Sequence, residues 1–226
     1  MEIIDVNVQW GFYPLSMIDS SPQRIASLLQ EAGISKALAL SFKSSFLSYR
    51  EGNSETLHIS QRIPALLPVL CVDPRDYPRC MEEIETAKGR GFLALRLFRK
   101  LCDRGLILKE ILSLCSRLSL PVLMDFVPPL DSLDNLPNIV FLDIPLEELG
   151  EVYLLLQRDG VYLEFSPFLY ATERLSDNLK DKLVFGSKLP FFPPSVRLRL
   201  IEEFFLSPGD RELVLGANAK KIFALP

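Results

Sequence analysis

The sequence predicts an α/β fold, a compact (β/α)8 TIM barrel that forms a single domain over residues 1–226. Short apolar runs recur along the chain, and proline, glycine or charged residues bound each of them. Most are separated by a stretch whose apolar positions have helical spacing. Because 48% of the 226 residues are apolar, the chain can bury one large core. An open, doubly wound sheet uses the same alternation and stays the alternative.

Eight segments have the apolar character of buried strands. Their number favours the closed barrel, although such barrels typically have about 250 residues and this chain is shorter. The predicted strands are residues 3–9, 36–42, 65–72, 92–98, 121–126, 139–144, 161–166 and 183–187.

Helix signals fall between these strands. Ser21 is a typical N-cap, Pro22 suits the first helical position and Gly33 ends the helix predicted over 22–32. Gly89 likewise ends the helix predicted over 78–88. Segment 43–52 is predicted as a loop over the active face, followed by a helix to about residue 62. The other predicted helices are 106–117, 146–158, 195–205 and 208–215.

Composition and charge limit the kinds of binding partner and the cellular compartment that we expect for this protein. The net charge of −4 and the absence of a long basic run argue against a nucleic-acid partner. No apolar run approaches the roughly 18 residues of a membrane span, and the first residues carry no basic leader, so we expect a cytoplasmic protein without a membrane contact. Cysteines 71, 80, 102 and 115 are predicted to be reduced thiols in the core.

Polar residues collect near the carboxyl ends of the predicted strands, where barrel enzymes carry their catalytic groups. Asp5, Asn7 and Gln9 alternate along the first strand, so we expect them to share its inner face. A solvated strand end would also carry some polar residues. The other strands offer Ser41, Asp73, Arg96, Asp125, Asp143, Glu164 or Ser166, and Lys188.

Three of these charges interrupt otherwise apolar strands: Arg96, Asp125 and Lys188. Since a charge near a core is tolerated only when it is paired, we predict that they face one polar cavity. Such a cavity would bind a small anionic or carbonyl-bearing ligand. In this hypothesis the catalytic residues are Asp125, Lys188 and Asp143, and the substrate-binding residues are Asn7, Gln9, Arg96 and Glu164.

Six segments carry a resemblance to a known family. They are Asp-Val-Asn-Val-Gln at 5–9, Val-Asp-Pro-Arg at 72–75, Gly-Phe-Leu-Ala-Leu-Arg-Leu at 91–97, Pro-Val-Leu-Met-Asp at 121–125, Phe-Gly-Ser-Lys-Leu-Pro-Phe at 185–191 and Asn-Ala-Lys-Lys-Ile-Phe at 218–223. In this order, along the whole chain, they resemble the amidohydrolase superfamily in its branch of compact TIM-barrel, metal-dependent hydrolases.

The resemblance implies a metal centre whose ligands this sequence replaces. Asn7 and Gln9 stand at two first-strand histidines, Asp125 at the fifth-strand histidine, and Asp143 or a neighbour at the sixth-strand histidine. Lys188 stands at the metal-binding aspartate, and a protonated lysine repels a cation. We therefore expect no family-type metal site and no cofactor, with Lys188 neutralising Asp125. The single histidine, at position 58, is predicted to be a surface or packing residue.

Three functions stay open at this point. A hydrolase without a metal could use Asp125 or Asp143 as the base, with Lys188 or Arg96 stabilising the oxyanion. Lys188 could instead form a Schiff base with a carbonyl substrate. The third alternative is a pseudoenzyme, a barrel that binds a ligand or a partner, including a second copy in a homodimer, without catalysis.

Overall fold

The structure is a computed structural model that describes residues 1–15, 17–102, 106–128, 136–165, 179–205 and 207–226. It contains one eight-stranded sheet in which strand order follows chain order and all neighbours are parallel. The strands are β1 (Ile4–Trp10), β2 (Lys36–Ser41), β3 (Leu66–Cys71), β4 (Ala94–Leu97), β5 (Val122–Met124), β6 (Ile139–Phe141), β7 (Val161–Glu164) and β8 (Leu183–Val184).

Strand β1 and the segment at β8 close the sheet into a ring. The backbone N–H of Val6 donates to the carbonyl of Phe185 at 3.0 Å, and that of Gln9 donates to the carbonyl of Leu189 at 3.0 Å. A barrel closed in this way leaves no open sheet edge. The predicted (β/α)8 barrel is therefore confirmed, and the open doubly wound sheet is wrong.

Helices connect the strands largely where they were predicted. The 22–32 helix has the expected cap, since Ser21 Oγ accepts a hydrogen bond from the N–H of Arg24 at 3.3 Å. Gly91, with φ +100°, ends the fourth helix two residues beyond the predicted stop. The helices are α1 (Pro22–Glu31), α2 (Phe42–Phe46), α3 (Tyr49–Arg62), α4 (Arg79–Arg90), α5 (Leu106–Arg117), α6 (Leu149–Leu155), α7 (Pro194–Phe204), α8 (Pro208–Glu212) and α9 (Asn218–Phe223).

The predicted loop at 43–52 is wrong. This segment holds most of α2 and the start of α3. Two serines start these helices: Ser41 Oγ accepts from the N–H of Lys43 at 3.2 Å, and Ser48 Oγ accepts from the N–H of Glu51 at 3.4 Å. Helices α2 and α3 lie close together, with Gly52 against Ser44. A Cβ added to Gly52 would approach the Ser44 backbone nitrogen to 2.3 Å.

Apolar side chains form two layers on either side of the sheet. The inner cluster fills the barrel with residues such as Val69, Leu123 and Val140, and the outer cluster packs the strands on the helices. Helix α9 belongs to the inner cluster, and the carbonyl of Ile222 accepts from Nδ2 of Asn138, which precedes β6. The amino end of the barrel is therefore filled by α9, which leaves the carboxyl ends of the strands for a ligand site. None of the described helices is long and apolar enough to cross a membrane.

An irregularity in β1 changes which side chains face inward. The pairing register with β2 shifts between Asp5 and Val8. Ile4 and Val6 pack in the inner cluster, whereas Val8 and Trp10 pack in the outer one. A bulge of this kind resets the alternation of side chains along a strand. The prediction that Asp5 shares the inner face of Asn7 and Gln9 is therefore wrong.

Asp5 instead fastens β1 to the chain that follows β8. Its Oδ1 accepts hydrogen bonds from the backbone N–H groups of Asn7 and Ser187, both at 3.0 Å. The side chain is fully buried, and this desolvation raises the pKa of Asp5 to about 6. One N–H belongs to Asn7 and the other to Ser187, the residue before Lys188. The contact therefore fixes the positions of Asn7 and Lys188.

The four cysteines are free thiols, as predicted. Cys71, Cys80 and Cys115 are buried and Cys102 is half-buried. Burial raises the pKa of the Cys115 thiol to about 12, so it stays protonated.

Asn53 joins α3 to β3 and gives a first test of the fold. Its Nδ2 donates to the carbonyl of Cys71 at 2.8 Å, and its Oδ1 accepts from the N–H of Cys71 at 2.9 Å. We expect Asn53→Ala to lower the free energy of unfolding by about 2–4 kcal/mol, because it leaves a buried donor and a buried acceptor unpaired. Urea denaturation measures this loss. The matched control is Ser54→Ala, an exposed residue of the same helix, and equal stability of the two variants would contradict the prediction.

Candidate functional site

A cavity of about 430 Å³ opens at the carboxyl ends of the strands. One of its walls is aromatic and the other is charged. The cavity is lined by Gln9, Tyr13, Phe42, Ser45, Phe46, Arg96, Phe98, Arg99, Lys100, Asp125, Asp143, Pro145, Lys188 and Phe191. Five of the predicted site residues are thus brought together, namely Gln9, Arg96, Asp125, Asp143 and Lys188.

Arg96 is the most deeply placed cation of the charged wall. Strand β4 carries it into the barrel, and only 4% of its surface is exposed. Its Nη2 lies 3.8 Å from Oδ2 of Asp125, and its guanidinium lies over the ring of Phe98 at 4.9 Å. Its Nη1 is buried and has no hydrogen-bond partner among the described residues. A buried N–H without a partner is costly, so Nη1 leaves an unmet hydrogen-bonding demand in the wall of the cavity.

Gln9 supplies a second unpaired donor. It follows Asn7 by two positions on β1, and its Nε2 is buried without a partner in the described part of the chain. Gln9 lines the same cavity as Arg96. The cavity is thus lined by two residues that each carry a buried N–H without a partner in the described part of the chain.

Asp125 is held by the segment that follows β4. Its Oδ1 accepts from the backbone N–H of Arg99 at 2.7 Å. The guanidinium of Arg99 in turn donates to both carboxylate oxygens of Glu148, at 2.6 and 2.7 Å. Asp125 therefore faces the cavity in a fixed orientation, with Arg96 as its cationic neighbour.

Lys188 forms an ion pair with Asp143, not with Asp125. Its Nζ lies 3.0 Å from Oδ1 of Asp143, so the prediction that Lys188 neutralises Asp125 is wrong. Lys188 and Asp143 have φ values of +62° and +52°, in the left-handed region that non-glycine residues rarely adopt. Such strain persists only where the surrounding structure holds it, and it concentrates at functional sites.

Asn7 and Glu164 lie behind the ion pair and are not among the described residues that line the cavity. Nδ2 of Asn7 donates to Oδ2 of Asp143 at 2.9 Å and to Oε1 of Glu164 at 3.1 Å. Oε2 of Glu164 accepts from the backbone N–H of Asp143 at 2.9 Å. Burial, followed by the charge of Asp143, raises the pKa of Glu164 to about 8. The structure thus places both residues where they support Asp143, although the sequence predicted that they bind substrate.

The aromatic wall was missed by the sequence analysis. The ring of Tyr13 lies 4.9 Å from those of Phe42 and Phe191 and 5.5 Å from that of Phe46, measured between centroids. Phe42 and Phe46 are four residues apart on α2, a spacing that places side chains on one helix face. That signal was available, but the segment was assigned to a loop.

Lys100 was also missed. Its Nζ lies 3.2 Å from the ring centroid of Phe46, so it spans from the charged wall to the aromatic one. Desolvation lowers the pKa of Lys100. Because Glu148 balances the charge of Arg99, Lys100, Arg96 and Lys188 set three cations against the two carboxylates that line the cavity, a balance that favours an anionic ligand.

The described residues at the strand ends do not fit a bound metal ion. The described residues contain no group of three or more His, Cys, Asp or Glu side chains that could hold one. The oxygens of Asp143 already accept from Lys188 and Asn7, and Asn7 turns its N–H₂ group toward the carboxylates. Divalent ions need free oxygen, imidazole or thiolate ligands. His58 is exposed on α3, as predicted.

Comparison with solved structures shows the fold of this chain. A probable 2-pyrone-4,6-dicarboxylic acid hydrolase from Acinetobacter baumannii, solved with citric acid bound, has a TM-score of 0.74 and 15% identity, with 99% of this chain and 100% of that chain covered. A 2,6-dihydroxybenzoate decarboxylase from Rhizobium has a TM-score of 0.76 and 12% identity, with 99% of each chain covered.

A protein from Staphylococcus aureus assigned as an amidohydrolase has a TM-score of 0.70 and 12% identity, with 100% of each chain covered. No family model and no curated protein matches the sequence. At sequence identities of 12% and 15%, these similarities show that the proteins share a fold. The resemblance that the sequence indicated is therefore shown at the level of the fold: the chain has the same barrel fold as these three solved structures.

Proposed function

We propose that this protein is an amidohydrolase-like hydrolase that acts on a small compound carrying a carboxylate and a reactive carbonyl, and that its own side chains do the work of the metal centre. The observation that carries the proposal is the unpaired Nη1 of the buried Arg96 on a cavity with more cations than carboxylates. A guanidinium in such a place binds carboxylate or carbonyl oxygen strongly. The printed names of two structural neighbours, a dicarboxylic acid hydrolase and a dihydroxybenzoate decarboxylase, support a carboxylate ligand.

Each group has a role in this proposal. Lys188 and Lys100 attract the carboxylate of the substrate, and the rings of Tyr13 and Phe191 hold its apolar body. Asp125 takes a proton from a water molecule as the water oxygen attacks the carbonyl carbon. Arg96 Nη1 and Gln9 Nε2 donate to the carbonyl oxygen as it becomes negative. When the intermediate collapses, Asp125 returns the proton to the leaving oxygen.

Asp125→Asn tests the catalytic part of the proposal. With carboxylate-bearing aryl esters and lactones as substrates, in the presence of a chelator, we expect kcat to fall about a hundredfold or more, since the amide cannot accept the proton. Steady-state kinetics measures the effect. The control is Asp73→Asn, because Asp73 bonds Arg75 outside this cavity. Loss of the wild-type activity on chelation, or an unchanged rate in Asp125→Asn, would contradict the proposal.

One observation favours a binding barrel without catalysis as the second candidate. Asp125 and Asp143 both accept hydrogen bonds from the protein already, so fewer of their oxygen lone pairs are free to contact a water molecule. Calorimetry with the same compounds separates the two functions. Saturable binding without turnover of any ester or lactone would support the binding barrel.

A further inference from the structure

Glu164 is a buried charged residue to which the proposed reaction gives no role. It is 1% exposed at the end of β7, and each of its carboxylate oxygens accepts one hydrogen bond, from Asn7 Nδ2 at 3.1 Å and from the N–H of Asp143 at 2.9 Å. Gly186 leaves room for it, because a Cβ at position 186 would lie 2.1 Å from Oε1. The site thus contains a specific place for a carboxylate behind the cavity.

The contacts of Glu164 lead to the cavity in two steps. Glu164 holds both the backbone and, through Asn7, the side chain of Asp143. Asp143 binds Lys188, whose ammonium lies on the cavity. The left-handed backbone of Asp143 is also kept in place by the bond from its N–H to Glu164.

We propose that Glu164 is the positioning residue of this site and that its charge state sets how firmly Asp143 retains the Lys188 ammonium. When Glu164 is neutral, the Lys188 ammonium is held by the negative charge of Asp143 without that of Glu164, and Lys188 can turn toward a ligand anion. When Glu164 is ionised, two neighbouring carboxylates hold the ammonium more firmly and lower the positive potential of the cavity.

The other charges near Glu164 decide the pH range of this effect. Asp143, at the end of β6, disfavours ionisation of Glu164, and Arg197 of α7 favours it. Lys188 is bonded to Asp143, and Asp5 of β1 lies on the far side of Asn7, bonded to Ser187. Desolvation is the largest effect and raises the pKa of Glu164 to about 8, so ionisation is expected between about pH 7 and pH 9.

The test follows the lysine side chain by NMR and needs no ligand. In the full chain labelled with ¹³Cε-lysine, we expect the Lys188 signal, assigned by its loss in Lys188→Arg, to shift with a midpoint near pH 8. Glu164→Gln should abolish this step. The control Glu203→Gln, at an exposed carboxylate paired with Arg199, should keep it. Absence of the step in the wild-type protein, or its persistence in Glu164→Gln, would overturn the proposal.

A second measurement rests on the proposed function and uses citrate as the probe. We expect the affinity of the wild-type protein for citrate to fall several-fold from pH 7 to pH 9, because ionised Glu164 opposes the anion, and to change less in Glu164→Gln. An equal fall in both proteins would overturn the role of Glu164. If citrate does not bind, the carboxylate site is wrong, whereas the NMR result still decides the role of Glu164.

Discussion

Arg96→Gln is expected to weaken the binding of small carboxylates about tenfold to a hundredfold. A hydrogen bond to a charged group contributes about 1.5–3 kcal/mol, and glutamine keeps a donor but loses the charge. The fold is expected to tolerate the change, since Asp125 keeps its hydrogen bond from the N–H of Arg99. The buried guanidinium of Arg96, with its unpaired Nη1, costs desolvation free energy in the folded state. Its removal offsets part of the lost interactions.

Isothermal titration calorimetry with citrate and aryl carboxylates measures this effect, and thermal unfolding checks the fold. The matched control is Arg199→Gln on the exposed face of α7, where the same change of charge occurs with the side chain 81% exposed. If both variants bind alike, the cavity beside Arg96 is not the carboxylate site. If Arg96→Gln unfolds below the wild-type temperature, Arg96 contributes to stability instead.

Gly186→Ala is expected to disrupt the support of the site and to destabilise the protein. The added Cβ would lie 2.1 Å from Oε1 and 2.8 Å from Cδ of Glu164, so the buried carboxylate must move away from Asn7 and Asp143. Overpacking of this kind costs about 1–3 kcal/mol. We also expect weaker carboxylate binding, because a displaced Glu164 no longer holds the backbone of Asp143 and Lys188 therefore loses its fixed position at the cavity. Urea denaturation and calorimetry measure the two effects.

Gly89→Ala is the matched control, and its expected effect has the opposite sign. Gly89 lies inside α4, and a Cβ there meets nothing within 4 Å. Alanine is favoured over glycine in a helix by about 0.5–1 kcal/mol, so this variant should be more stable than wild type and bind unchanged. If Gly186→Ala matches Gly89→Ala in stability and binding, the close contact with Glu164 has no importance.

The strand and helix pattern was readable from the sequence because it depends on local chemistry. All eight predicted strands occur, and the cap at Ser21 follows from the backbone preference of a single residue, whereas α4 ends at Gly91 and not at the predicted Gly89. Segment 43–52 was wrongly assigned to a loop. The serines that cap its two helices, Ser41 and Ser48, are equally common in polar loops and gave no clear helix signal. In the structure Gly52 of α3 lies directly against Ser44 of α2, a tertiary contact that local sequence signals do not reveal.

Arg96, Asp125 and Lys188 were predictable as cavity residues, since a charge that interrupts a buried strand needs a polar cavity, and Gln9 and Asp143 were predictable from their places near strand ends. Their pairing was not. The ion pair of Lys188 with Asp143 depends on left-handed backbone at both residues, on the Asn7 donor of β1 and on the Glu164 acceptor of β7, which lie far away in the chain.

The sequence by itself predicted the (β/α)8 barrel and the location of the polar residues at the carboxyl ends of the strands. Only the tertiary structure decided that Asp5 turns away from Asn7 and Gln9, that Glu164 lies behind the cavity, and that Arg96 keeps an unpaired N–H. The physical reason is that strand and helix preferences are local, whereas a one-residue irregularity in β1 and contacts between distant strands set the direction and the partner of each charged side chain.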